Sequence, residues 1–588
     1  MPGRETMTLP AYETLTTDIL ILGSGGAGLL AALHAHDAQP RASIHILVKG
    51  LLGKSGCTRM VQGGYNAVLH PQDSLELHFR DTLAGGAYLN DQELAWTLVA
   101  QAPERIRELE SRFGCFFDRN PDGTLHQKPF AGQSFDRTVH RGDLTGIEIM
   151  NRLAEQVLRH GLPTLEDHRA LALLPSADGG GVAGALCLDV RRGTFLVIRA
   201  KATLLATGGG PTMYKITAAS AEKTVDGLAM AFRAGARLVD MEMVQFHPTG
   251  LLVGESGMSG TVLEEGLRGA GGHLLNGRGE RFMAKYDPQR LERSTRDIVA
   301  RSAYLEIMAG RGTPHGGVYL DVSHLGAAFV EQHFPGMVAR CRDMGFDLAR
   351  EPVEVSPTAH YLMGGVKIDT ACRSNLEGLF VAGEDAGGVH GANRLGGNGV
   401  ACSTVFGGIA GDSMAAYLAG RALPPLDEAQ VRAALAWAVA PFAAAGEEDV
   451  YALRDELKAL MWEKAGLVRH ASDLKAAQEA LAHLRWRAAR VRVHGTPRLN
   501  LEWQEWLNLD SLLTVSDLIV ASALERQESR GSHYRSDYPH PDDGQLYNVY
   551  VQREGEAWRL WRQPVVFSRL KPPATGTPER AYLAQEGE

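Results

Sequence analysis

Apolar residues fall into two regimes along the chain. Up to about residue 210 they come in short runs closed by glycine or polar turns, and from 428 to 490 they recur at helical spacing. DILIL (18–22) is an apolar run, GSGGAG (23–28) follows, and LLAALHAH (29–36) continues with a helical period. A second apolar run, IHILVK, occupies 44–49. Strand, glycine turn, helix and strand within about 30 residues form a βαβ unit, the opening of a doubly wound parallel sheet. Residues 93–113 show helical periodicity and stop at Gly114, a residue suited to the position after a helix. TLEDH, LALLPSA, GVAGALCLDV and TFLVIRAKATLLATGGG, from about 164 to 210, predict strands joined by tight turns. GRALPPLDEAQ (420–430) reads as a linker into a helical C-terminal domain, and KPPATGTPERAYLAQEGE as a loose tail. There is no internal repeat.

Composition narrows the class. The chain has 588 residues, 44% hydrophobic and 22% charged, with 60 Lys+Arg against 69 Asp+Glu and a formal charge of −9. It is too apolar to be largely disordered, and its acidic balance gives no electrostatic reason to expect nucleic acid. The six cysteines include no C-x-x-C pair, so the chain predicts neither a zinc ribbon nor an iron–sulfur cluster of its own. The N-terminus lacks a charged-then-apolar signal layout. The first apolar stretch, 19–34, is broken by glycines, and no other run approaches 18 apolar residues, which predicts no membrane span. Glycine is in excess at 67, where average usage would give about 41.

Gly23, Gly25 and Gly28 form G-x-G-x-x-G between the first strand and helix. Such a turn brings backbone close to a pyrophosphate and aims helix N–H groups at it. The acidic residue expected at the end of the second strand is absent, since that strand ends in Val48-Lys49, so FAD fits better than NAD.

ATGG (206–209), QFHPTG (245–250), PTAHYLMGG (357–365) and HGANRLGGN (390–398) follow in order, with RTVHRGDLTG (137–146), EEGLRGAGG (264–272), TRDIVARS (295–302) and SRGSHYRSDYP (529–539). Together they resemble the flavoprotein subunit of the succinate dehydrogenase/fumarate reductase family, which includes L-aspartate oxidase. The resemblance runs from about residue 15 to about 545. It implies an α/β fold: a Rossmann-like FAD-binding domain (1–250 and 356–420) interrupted by an α+β capping domain (251–355) and followed by a helical C-terminal domain with a loose tail (421–588). The implied chemistry is hydride exchange between flavin N5 and one carbon of a C4 dicarboxylate, with a proton exchanged at the neighbouring carbon.

By family motif, His247, His360 and Arg394 are the expected ligands of the substrate carboxylates, and Arg296 the residue that clamps the substrate and moves the proton. Arginine matches a carboxylate as a bidentate fork. It is an unusual acid, with an ordinary pKa above about 12, so a relay must restore its proton. Glu265 and Arg268 supply that relay, with i, i+3 spacing. The implied cofactor contacts are Gly23, Gly25, Gly26, Gly28, Lys49, Thr58, Gly63, Gly64, Thr207, Gly208, Asp226, Glu384, Arg394 and Asn398. Glu384, in VAGED, resembles the acid that holds the FAD ribose.

Three positions depart from the family pattern. Cys57 stands where membrane-bound members carry the flavin-linking histidine, so FAD is expected without a covalent bond. Glu264 replaces a common threonine; a carboxylate there repels substrate unless it points away or is protonated. Gly399 follows Asn398 where a serine is common. Two enzymes remain open: a fumarate reductase or succinate dehydrogenase-like flavoprotein, and L-aspartate oxidase. The first is closer in the FAGQSFDRT spacing and the C-terminal ESRGSHYRSDYPHPDD; YLDVSHLGAAFVEQHFP and His140 point to the second. The first implies a cytoplasmic location, with a separate iron–sulfur protein as partner and at most peripheral attachment to the inner face of the membrane through partners.

Overall fold

The computed structural model describes residues 9–254 and 256–573. β1 spans Tyr12–Leu22, α1 Gly26–Ala38 and β2 Ile44–Leu47. Parallel pairing of β1 with β2, Ile19 opposite Ile44, completes the expected βαβ unit. β1 begins six residues ahead of the apolar run, because its polar first half still pairs with Phe195–Ala200.

The large sheet is mixed rather than wholly parallel. Its order is Thr164–Leu165, β2, β1, Thr194–Leu205, Val182–Asp189 and His168–Pro175, with Leu379–Val381 also on Thr194–Leu205. The last three strands of that order run antiparallel. Their connections, 176–181 and 190–193, are too short for a crossover and suit hairpins. Gly114, at φ +77°, closes the helix Gln92–Ser111, as its pattern predicts.

α1 is buried from Gly26 to Ala35 and lies against the helix Asn398–Tyr417. A Cβ on Gly407 would fall 2.6 Å from the Ala27 carbonyl oxygen, and one on Gly411 2.4 Å from that of Ala31. Part of the glycine excess after residue 400 therefore serves helix–helix contact.

A second apolar core, running from Leu251 to Val355, is separate from that of the large sheet. It lies under the sheet Val244–Leu251, Val353–Leu362, Val318–Asp321 and His273–Leu275. The chain enters this unit along Val244–Leu251 and leaves it along Val353–Leu362, and those two strands pair antiparallel.

The C-terminal region is helical at Glu428–Val439, Val450–Lys464, Ala471–Ala488 and Leu501–Glu525. Two of its features differ from the sequence reading. First, Leu501–Glu525 is 25 residues long and apolar enough by composition to cross a membrane, though its best window is 72% buried within the protein. Three of its polar positions, Ser511, Thr514 and Ser516, interrupt the apolar run and hide its length. Fully buried Trp503 donates Nε1–H to the Ala438 carbonyl at 2.8 Å. Second, the region is not only helical: Tyr547–Glu554 and Ala557–Pro564 form a hairpin whose first strand pairs with Leu238–Val239. Most of the tail named above, residues 574–588, lies outside the described residues, as does the start of the N-terminal segment, 1–8.

Buried ion pairs lock this region in place. Arg526 meets Glu242 at 2.7 Å and Glu528 at 3.0 Å, and Arg530 meets Glu528 at 2.7 Å. Each partner's desolvation is met by the other, so losing one leaves an uncompensated charge.

Candidate active site

A cavity of about 390 Å³ lies between the large sheet and the 251–355 unit, within the range of small-molecule sites. It shares Gly25, Gly208 and Lys223 with a smaller cavity of about 70 Å³.

Among the expected cofactor contacts, Gly25, Gly26, Thr58, Gly63, Gly64, Gly208, Glu384 and Arg394 line the larger cavity. Gly23, Lys49, Thr207 and Asp226 line the smaller one. Gly23 cannot carry a side chain: at φ +111°, a Cβ would fall 2.2 Å from the Ala206 carbonyl oxygen. Two expected contacts reach neither cavity. Gly28 instead abuts Gly23, whose carbonyl oxygen a Cβ would meet at 2.0 Å. The Asn398 side chain turns back to Asn66 (2.8 Å), His78 (3.1 Å) and Thr82 (3.1 Å). Lys49 and Asp226 pair with each other at 2.9 Å, with Arg169 on the second Asp226 oxygen at 2.8 Å. Burial would raise the Asp226 carboxyl, but these cations outweigh it and hold it at about 2.

Glu384 sits in the cavity wall, where one carboxylate oxygen accepts from Leu362 N at 3.0 Å and Gly210 N at 3.3 Å. Burial raises its pKa. Its neighbour Asp385 and Lys223 escaped the sequence reading. Asp385 is fully buried, accepts from the backbone of Thr207 and Gly208, and so shapes the ATGG turn. Lys223 is a cation common to both cavities and donates to the Thr207 carbonyl. Cys57 faces the cavity half-buried, and burial pushes its thiol up to about 11.

The substrate-facing residues come from different elements. Val244–Leu251 and Val353–Leu362 pair with two register shifts, and the first skips His360. Bulges re-aim side chains. His247 and His360 both line the cavity, their ring centroids 5.4 Å apart. Burial, then the positive charge of Arg296 and Arg394, keeps both imidazoles neutral, far below the ordinary histidine range. Arg394 lies over the Tyr361 ring at 4.5 Å, and burial lowers its pKa to about 10.

Arg296 opens the helix Arg296–Glu306. Its Nε donates to Glu265 Oε2 at 2.7 Å, and its Nη2 lies 2.6 Å from the same oxygen. Arg268 stands behind, 3.8 Å from the other Glu265 oxygen, and lines neither cavity. Two of the Arg268 nitrogens, Nε and Nη2, have no hydrogen-bond partner among the described residues. Burial would raise the Glu265 carboxyl; Arg296 and Arg268 outweigh it and hold it below the usual range. Arg296, Glu265 and Arg268 thus form a row of ionisable groups leading from the cavity into the 251–355 unit, hydrogen-bonded from Arg296 to Glu265 and at ion-pair distance from Glu265 to Arg268.

Gln245 was missed as a functional residue, although it begins the QFHPTG run. Its Oε1 accepts from Arg296 Nη1 and Arg394 Nη2, each at 3.2 Å, and its Nε2 donates to the Arg394 carbonyl and to Asn393 Oδ1, each at 2.7 Å. One amide therefore sets the spacing of the two arginines. Gly399 makes room for them: a Cβ there would fall 2.8 Å from Arg394 Nη1. His140, by contrast, lies outside the cavity and meets His126 at 2.7 Å and Asp118 at 3.2 Å.

Comparison with known proteins supplies the family. The sequence model of an FAD binding domain matches residues 18–400, and that of a fumarate reductase flavoprotein C-terminus matches 454–580. A fumarate reductase (CoM/CoB) subunit of Methanothermobacter marburgensis is 44% identical over 92% of this chain and 98% of its own. L-aspartate oxidase 2-a of Nicotiana tabacum is 37% identical over 93% of this chain and 86% of its own. A solved structure of E. coli quinol fumarate reductase FrdA superimposes with a TM-score of 0.90 at 33% identity, covering 96% of this chain and 99% of that one.

Proposed function

The chain belongs to the fumarate reductase/succinate dehydrogenase flavoprotein family, and from that premise we propose how its own residues carry out the FAD-dependent reaction at a C4 dicarboxylate. It is an FAD-dependent oxidoreductase acting on CH–CH groups. FAD, when bound, supplies hydride exchange at flavin N5. The glycine turn 23–28, Thr58, Gly208 and Glu384 would hold it at the larger cavity, with Lys49, Thr207 and Asp226 bordering the smaller one. Lys223, common to both, would face its phosphates. With Cys57 held as a thiol and no histidine at that position, the cofactor is bound without a covalent link.

Arg394 presents its fork to one substrate carboxylate, held in place by Gln245. His247 and His360, being neutral, each offer one N–H donor without adding charge. Arg296 binds the substrate and gives a proton to the carbon beside the hydride site. Only a strongly basic carbanion takes a proton from a guanidinium, so Arg296 must recover it at once. The proton comes from Arg268 and crosses the Glu265 carboxylate, which holds none of its own and stands 3.8 Å from Arg268 and 2.6 Å from Arg296. The observation that carries this reading is the row Arg296–Glu265–Arg268 ending at the cavity that Arg394, His247 and His360 also line.

The names of several relatives describe one subunit of a larger enzyme, and the sequence carries no cluster-binding cysteine pattern of its own. The chain accordingly works with a separate iron–sulfur partner in the cytoplasm. Anaerobically reduced holoenzyme mixed with fumarate tests the reading: flavin reoxidation with fumarate supports it. Peroxide release from oxidised enzyme with aspartate and oxygen, with no response to fumarate, overturns it in favour of aspartate oxidation.

A further inference from the structure

The mechanism leaves one carboxylic acid of the cavity wall unused. Glu264 lines the cavity beside Val262 and Arg340 and is 2% exposed. It belongs to the cavity lining while its carboxylate oxygens reach Lys128, so a substrate dianion held by Arg394 has this acid among the walls around it.

The charged groups around Glu264 come from four places. Lys128 approaches from Gln127–Lys128, Asp143 from the turn ahead of Thr145–Arg159, Glu265 from the next residue, and Arg340 from Pro335–Asp343. His140 lies beyond Lys128 and is neutral at working pH, held at about 4 by burial and then by Lys128. Among the described residues, Lys128 is the one hydrogen-bond donor to the carboxylate. It stands 3.4 and 3.3 Å from the two oxygens, at the long end of the hydrogen-bond range, and shares its ammonium with the Gly142 carbonyl at 3.3 Å. Asp143 and Glu265 oppose it with like charge, and burial is the largest influence, raising the Glu264 carboxyl. Asp143 is itself tied down by Met337 N at 3.0 Å, so it cannot swing away.

We propose that Glu264 enters the dicarboxylate complex as the neutral acid and donates a hydrogen bond to a substrate carboxylate, so that this chain takes up a proton from solvent when it binds a dianion. This rests on the dicarboxylate reading above. An ionised Glu264 would set two carboxylates against each other in one cavity, whereas the protonated acid is a donor of the kind a hydroxyl side chain supplies. Glu264 then makes affinity depend on pH: binding weakens about tenfold per pH unit once the free-enzyme carboxyl ionises.

The test is calorimetric titration of FAD-loaded enzyme with malonate, an unreactive dianion, in buffers of different ionisation enthalpy from pH 6 to 9. The wild type should take up close to one proton at the upper end of that range and lose affinity with pH. Glu264→Gln, an isosteric neutral donor, should bind with a flatter pH profile and without that proton. Glu264→Thr serves as a second flat-profile variant, and the flavin spectrum reports that each variant is folded. Equal proton uptake in the wild type and both variants overturns the inference while leaving the dicarboxylate reading intact. Aspartate binding more tightly than malonate in the wild type, with that preference lost in Glu264→Gln, also overturns it, because Glu264 would then be an anion meeting an ammonium. Failure of malonate to bind at any pH overturns the dicarboxylate reading itself.

Discussion

Replacing Arg296 by lysine separates substrate binding from proton movement. The guanidinium makes three contacts at once: Nε and Nη2 to Glu265 Oε2 at 2.7 and 2.6 Å, and Nη1 to Gln245 Oε1 at 3.2 Å. A lysine ammonium keeps the charge but not the fork. It retains one charge-assisted bond to Glu265 and loses the other, together with the link that holds it level with Arg394. One such bond is worth about 1.5–3 kcal/mol, which corresponds to about 10- to 150-fold in a rate constant if it matters only in the transition state. Ground-state binding still has Arg394, His247 and His360, so malonate affinity should change by less than about tenfold. Single-turnover oxidation of the reduced flavin by fumarate, followed anaerobically, gives the rate, and calorimetry with malonate gives the affinity. Equal losses in both would refute the assignment and leave Arg296 as a carboxylate clamp alone.

Three further outcomes are expected. Gly399→Ser places a Cβ 2.8 Å from Arg394 Nη1; the guanidinium can swing aside, so melting should barely change. Malonate affinity should drop about tenfold, one charge-assisted bond at the lower end of its range; unchanged affinity would show that Arg394 is not displaced. Asp226, held at about 2, adds about 2–3 kcal/mol of stability that is present above the ordinary aspartate pKa and disappears as pH falls through about 2. Asp226→Asn should therefore melt well below the wild type at pH 7 with a gap that narrows towards pH 3, and a constant gap would contradict the assignment. Denatured protein should release all its FAD and show an unmodified mass; flavin retained on the peptide containing Cys57 would mean a thioether.

The sequence made the βαβ opening legible because its apolar runs and glycines have one physical interpretation each. Short motifs also named many of the groups that line the cavities, from Gly25 and Thr58 to Arg296 and Arg394, but not Lys223, which lines both. What the sequence could not supply was direction. Asn398 belongs to a flavin motif, yet its side chain serves Asn66, His78 and Thr82, and nothing in the residue's identity distinguishes the two. Gln245 was hidden because an amide acts by geometry, joining two arginines that lie 51 and 149 residues further along the chain. The antiparallel half of the large sheet is not visible in strand periodicity, which is the same for either direction; only the tight turns between its strands signal it. The hairpin at 547–564 pairs with Leu238–Val239 over a distance that no local pattern encodes.

The 251–355 unit is joined to the rest of the protein through two neighbouring strands, Val244–Leu251 and Val353–Leu362. The ends of the insertion are therefore already side by side, and the chain could be closed beneath it by a short turn. Such a graft leaves the strand pairing of the large sheet untouched, so the insert can be exchanged or lengthened as a module. Because His247 and His360 stand on the graft junction itself, any exchange would carry its influence directly into substrate choice.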